Sequence, residues 1–169
     1  MKRPRDSSRR APPCLRKSAE FSFLDPGDLT DGTLRLVLRE THLGDVAKDR
    51  APEYVFGILH VETGDEVGTA VLRVGDPERE LRYAGHLGYA IHEAHRGHRF
   101  AAKTVRILLP LAKRHGLNPL WIACNAENVA SRRTAEILGA ELVEILSVPE
   151  DMDIYAEGER YACRYRLHH

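Results

Sequence analysis

The sequence predicts an α/β (α+β) domain in which a single mixed, mainly antiparallel sheet carries helices packed on it. Three observations point there. The first half alternates apolar and polar residues with the period of two that half-buried strands require. Turn chemistry joins neighbouring runs of this kind as a hairpin. The second half then carries apolar residues at helical spacing between short apolar strands, so hairpins precede helical crossovers.

Residues 33–41 (TLRLVLRET) alternate Leu34, Leu36 and Leu38 with polar partners and read as the first strand. Residues 54–61 form a second, and 67–74 a third across the turn residues ETGDE. Residues 85–92 (GHLGYAIH) are a fourth strand rich in small side chains. A helix follows over 99–115, with Ala101, Val105, Leu108 and Ala112 on one face and Gly116 as its stop. Pro110 lies inside it and removes a hydrogen bond to the carbonyl of Arg106, which predicts a bend. Residues 120–124 are a short buried strand, and 128–138 a helix with Asn128 as N-cap and Gly139 past its end. Strands over 141–147 and 160–167 close the fold around an acidic loop.

A chain of 169 residues suits one domain with a full core. Its 25 basic and 25 acidic residues leave no net charge, so no general attraction to nucleic acid or an anionic membrane is expected. Any anion site must be local. No apolar run approaches the roughly 18–20 residues that span a bilayer, and the basic N-terminus lacks the apolar core of a secretory signal. Residues 1–18, rich in Arg, Ser and Pro, read as a disordered basic tail and 19–169 as the folded domain. Contact of that tail with RNA is the alternative to a solvated role. Cys14, Cys124 and Cys163 are odd in number and widely spaced, against a disulfide framework or zinc site and in keeping with a reducing, cytoplasmic setting. Cys124, in an apolar strand, reads as an inert buried thiol.

The chemistry concentrates at residues 95–101 (HRGHRFA). A strand runs into a basic turn with one glycine, and the turn opens a helix. Free N–H groups and the positive end of the helix dipole make such a place an anion site, with Arg96, His98, Arg99 and Lys103 adding cationic side chains. A solvated helix start is the alternative on these residues alone.

RGHRFA after LGYAI, followed by a helix, a strand and then Asn125-x-x-Asn128-x-x-Ser131 on a second helix, resembles the GNAT acetyltransferase superfamily, most closely over residues 85–139. The stretch from Cys124 is similar to uncharacterised GNAT proteins and to the branch that acetylates protein N-termini. The family's loop reads Gln/Arg-x-x-Gly-x-Gly/Ala. Arg96 matches the first position and Ala101 the last, while Arg99 replaces the usual glycine. An Arg99 with negative φ would keep its N–H for phosphate and add its guanidinium, and that reading is preferred to one with positive φ.

The resemblance implies an acetyl-CoA-dependent N-acetyltransferase acting on a primary amine, either a small molecule or a peptide, with no metal. It implies that Arg96, Gly97, His98, Arg99, Phe100 and Ala101 cradle the pyrophosphate. It also implies that the strand at Tyr89 and Ile91 holds the pantetheine and the thioester carbonyl, with Asn125 and Asn128 as further cofactor contacts. Asn125 equally suits a strand end. Many members carry a tyrosine seven residues after the asparagine; here it is Ala135. Ser131 is the substitute acid for the departing thiolate, against a plain backbone-bonding role. His86 is the base candidate by its intrinsic pKa, with His92, Glu93, Tyr83 or a water as alternatives.

HEAHR lacks the second histidine of HExxH at the required spacing, since Arg96 stands there. A shared metal face for His92, His95 and His98 is also not expected. The acidic stretch 149–159 predicts steering of a cationic acceptor, against a solvated loop without a role. The short 42–53 connection predicts a low wall on one side of the acceptor site. From another class, a catalytically weak acyl-CoA-binding regulatory module is the alternative. The sequence leaves a monomer and a homodimer both open.

Overall fold

Alternation builds the N-terminal sheet, and the places where it fails are informative. The computed structural model describes residues 21–169; the tail expected over 1–18, with Cys14, lies outside the described residues. β1 (Leu29–Thr30), β2 (Leu34–His42), β3 (Glu53–His60), β4 (Glu66–Arg73) and β5 (Leu87–Ile91) form one sheet in that spatial order. Leu34 and Leu36 are buried, but Leu38 is 39% exposed. Leu38 keeps the register of Leu34 and Leu36, so it shares their face near its margin; the β2–β3 ladder slips only beyond it, between Leu38 and Glu40.

Between β4 and β5 lies α1 (Glu78–Ala84), a helix the apolar pattern does not reveal. Its signals are local: acidic Glu78 and Glu80 in the first turn, Arg82 in the last and Gly85 as stop. α2 (Phe100–Arg114) buries Val105, Leu108, Leu111 and Ala112 against the first sheet and runs through Pro110 as one helix. Ala101 is only half-buried and Ala102 fully buried, so the apolar stripe is wider than the spacing alone suggests. β6 (Leu120–Asn125), α3 (Val129–Ile137), β7 (Glu141–Ser147), the single turn α4 (Asp153–Ala156) and β8 (Tyr161–Leu167) complete the chain.

All named ladders are antiparallel, but the expected single sheet is divided. β6, β8 and β7 form a second sheet in that order. The two sheets touch where the His86 N–H donates to the Trp121 carbonyl at 2.8 Å and Gly85 bridges Ile122. Among the described residues no ladder continues from there, so β5 and β6 separate. Gly85 explains the contact. Its φ is +66°, and a Cβ would lie 2.7 Å from the Ala123 nitrogen and 2.8 Å from the Trp121 oxygen. Only glycine satisfies both demands.

Candidate active site

The separation of β5 from β6 leaves backbone groups without a strand partner. His92 donates its N–H to Val67 on the β4 side at 2.9 Å. Successive residues of a strand point their backbone groups to opposite edges, so those of Tyr89 and Ile91 face the gap toward β6. The Ile91 carbonyl takes the Nε–H of Arg96 at 3.2 Å, which ties the strand to the turn that follows.

That turn presents two residues in the left-handed region, Gly97 at φ +86° and Arg99 at φ +57°. The preferred expectation of negative φ for Arg99 is therefore overturned. The left-handed backbone at Gly97 and Arg99 leads directly into α2 at Phe100, and the first residues of that helix line a cavity. A non-glycine residue there carries a strain of about 1–2 kcal/mol. Arg99 is also the N-cap of α2 and supplies no side-chain cap. The first N–H groups of α2 thus remain available, as helix geometry requires. Gly97 has nothing within 4 Å of where a Cβ would be, so its positive φ, and not close packing, is what favours glycine there.

A cavity of about 430 Å³ lies between this turn, β5 and α3. Tyr89, Ile91, Arg96, Arg99, Phe100 and Ala101 line it from one side, and Asn128, Ser131 and Thr134 from α3. His98 is not on its wall; its ring stacks on Phe100 with centroids 5.3 Å apart. Lys103 is also engaged elsewhere, donating to Thr33 Oγ1 at 3.0 Å. A second cavity of about 200 Å³ adjoins it, lined by Arg73, Tyr83, Cys124, Asn125, Ile154 and Glu159 among others. Tyr89, Asn128 and Ser131 belong to both walls.

Asn128 Oδ1 accepts the Ser131 N–H at 3.0 Å, the N-cap bond that orients α3. The Ser131 hydroxyl itself makes no hydrogen bond among the described residues. Asn125 Oδ1 accepts the Glu127 N–H at 2.9 Å, so its side chain closes a turn at the end of β6.

A sequence profile described as an acetyltransferase (GNAT) domain matches residues 14–141. This chain belongs to the GNAT acetyltransferase family. A ribosomal L7/L12 alpha-N-protein acetyltransferase has the same fold at TM-score 0.54 and 16% identity, covering 69% of this chain and 61% of that one. The ribosomal-protein-S5-alanine acetyltransferase from Vibrio fischeri matches at TM-score 0.54 and 16% identity over the same shares of the two chains. A microcin C7 self-immunity acetyltransferase, in complex with acetyl-CoA and AMP, matches at TM-score 0.55 and 16% identity, covering 69% and 61%. The chain thus spans less than two thirds of the length of these structures. No curated protein matches it.

Within this GNAT domain His86 lies away from the two cavities that share Ser131, and it is 3% exposed. Its Nδ1 accepts the Trp121 N–H at 2.9 Å. Desolvation, opposed by Asp76 and reinforced by Arg164 and Arg73, lowers its pKa to about 4. His86 thus helps to join the two sheets. His92 Nδ1 lies 3.0 Å from the Glu66 carbonyl, on the exposed surface, while Tyr83 does face the second cavity. Burial pushes the Cys124 thiol up to about 11, so it stays protonated and inert at neutral pH.

The acidic stretch is less free than its composition implies. Asp153 pairs with Arg50 at 2.8 Å, and Asp151 pairs with Arg79 at the start of α1. Glu159 reaches the cavity wall instead. Burial first, and Glu157 second, push its carboxyl above the ordinary glutamate value. The sequence pattern places Glu159 only in a charged loop, and it gives no role to Arg73 or Thr134, which also line these cavities. Nothing in the local pattern marks them, because they meet across distant parts of the chain. Among the described residues no group of His, Cys, Asp and Glu is placed to share a metal ion, and no helix is long and apolar enough to cross a membrane.

Proposed function

We propose that the domain transfers an acetyl group from acetyl-CoA to a primary amine by direct attack. The observation that carries this reading is the pair of cavities sharing Tyr89, Asn128 and Ser131. One is walled by a helix N-terminus with unused N–H donors and two arginines, which suit a pyrophosphate. The other contains a carboxylate, which suits an ammonium. Reactants bound in both would meet at the shared wall, and proximity of that kind replaces a bimolecular encounter.

In this reading Arg96, Gly97, Arg99, Phe100, Ala101 and Asn128 contact the cofactor, and the outward N–H groups of Tyr89 and Ile91 hold the thioester carbonyl. Donors fixed there stabilise the oxyanion that develops on attack. Glu159 receives the proton that the acceptor ammonium must lose, a task its raised pKa favours over that of a solvated carboxylate. The Ser131 hydroxyl lies toward the departing sulfur. The fold similarity to ribosomal-protein N-terminal acetyltransferases makes basic peptides natural candidates, alongside polyamines and aminoglycosides.

An amine screen with acetyl-CoA, reading CoA release, tests the proposal. Release that depends on acceptor, and that Glu159→Gln lowers at least tenfold in kcat/KM, is expected. Acetyl-CoA binding without release for any amine would instead favour a regulatory acyl-CoA-binding module.

A further inference from the structure

Among the described residues, Tyr89 is the side chain on both cavity walls whose buried polar atom has no partner. Its hydroxyl is shielded from solvent and makes no hydrogen bond, while its ring lines both cavities. A tyrosine serving only to fill space there is inferior to phenylalanine, since an unpaired buried hydroxyl is unfavourable.

The neighbours of the phenol narrow its role. Tyr89 shares the wall of the larger cavity with Ser131 and Thr134 of α3, and that of the smaller with Ser131 and with Cys124 of β6. Neither hydroxyl is in bonding geometry with it, yet both lie close enough to oppose the effect of burial on its ionisation. The Thr134 hydroxyl is already committed, donating to the Ala130 carbonyl at 2.9 Å. The thiol of Cys124 is a weak donor and a weak acceptor. Ser131 lines both cavities with Tyr89, and its hydroxyl makes no hydrogen bond among the described residues.

Resting on the acetyl-transfer reading, we infer that Tyr89 supplies Ser131 with the proton that reaches the leaving sulfur, so that it acts behind the serine hydroxyl and not on the sulfur itself. A serine hydroxyl alone is a poor acid for a thiolate. A phenol, with an ordinary pKa of about 10, is far closer to a thiol at about 8.5. Burial raises the phenol's pKa, which keeps the proton in place until a thiolate forms beside the relay.

The proton count closes. The ammonium gives one proton to Glu159, and the freed amine attacks the thioester carbon to form the C–N bond. As the C–S bond breaks, Ser131 passes its proton to sulfur and takes one from Tyr89. The nitrogen releases its second proton to solvent, Glu159 discharges to solvent, and Tyr89 recovers a proton from solvent. One proton is released per turnover, as the conversion of an ammonium and a thioester to an amide and a thiol demands.

Tyr89→Phe tests this with acetyl-CoA and a lysine-rich peptide or spermidine as acceptor, read as CoA release across pH beside thermal unfolding. The expected result is kcat reduced at least tenfold with KM for acetyl-CoA within twofold. The melting temperature should be unchanged or higher, because no bond is lost. The alkaline limb of the wild-type kcat profile should disappear, and Ser131→Ala should add little further loss, since both residues serve one relay. An unchanged kcat, or a kcat loss matched by a fall in melting temperature, would overturn the assignment. Turnover by the wild type in the same assay reports on acetyl transfer itself, so its failure is separable from that of Tyr89.

Discussion

The two cavities that meet at Ser131 are built by different means. The larger joins side chains of α3 to a framework of backbone: a turn with two positive φ angles, the open N-terminus of α2 and the outward edge of β5. The smaller is made by side chains from β4, α1, β6 and the 149–159 loop, namely Arg73, Tyr83, Cys124, Ile154 and Glu159. A backbone site depends on conformation and tolerates many side chains, provided the turn closes. A side-chain site depends on which residues tertiary packing brings together. The first kind recognises a constant ligand, and the second can vary with the acceptor.

The largest expected effect falls on the backbone site. Gly97→Pro demands negative φ where the turn has +86° and removes an N–H donor, so acetyl-CoA should no longer raise the melting temperature. A folded variant that is still stabilised by acetyl-CoA would break the backbone account.

The next concerns the seam beside the cavities. The folded-state pKa of His86, about 4, lies below its ordinary 6.5. For a depressed histidine the stabilisation is complete above pH 6.5 and is lost as pH falls toward 4. The loss is up to about 3 kcal/mol at about 1.4 kcal/mol per pKa unit. His86→Asn retains an acceptor for the Trp121 N–H but does not titrate. Denaturant melts should show its stability flatter than wild type across that window, with the pH profile of turnover unmoved. A changed acidic limb of turnover would return His86 to the mechanism.

Arg99→Gly separates strain from charge within the larger cavity. Relief of the left-handed strain should stabilise the fold by about 1 kcal/mol, or about 2–4 °C in melting temperature. Loss of the guanidinium should weaken CoA binding by about 1–3 kcal/mol in calorimetry. Tighter binding would mean that arginine hinders the cradle.

The smallest effect is electrostatic. With Asp151 and Asp153 neutralised by Arg79 and Arg50, steering of a cationic amine rests on few carboxylates. Raising salt from 0.05 to 0.5 M is expected to lower kcat/KM for a cationic amine only about two- to fivefold. No difference between cationic and neutral amines at either salt would end the steering idea.

The sequence by itself determined the strands, the turn–helix at 95–115 and the capped helix begun by Asn128, because local periodicity and end signals govern them. It also carried Ser131 into the site, since a short motif fixes its place on one helical turn. It did not reveal α1, whose stop and charge signals are present but whose apolar face is short. It misjudged Arg99, because φ at a turn is set by the directions of the elements on either side, and arginine can be held against its preference. It misjudged His86, because burial and the Trp121 N–H decide its titration, and both come from a strand 35 residues away. The division of the sheet at Gly85, the ion pairs that tie up the acidic loop, and the convergence of Tyr89, Ser131 and Glu159 were decided by tertiary structure alone. Each depends on contacts between segments whose separation no local pattern encodes.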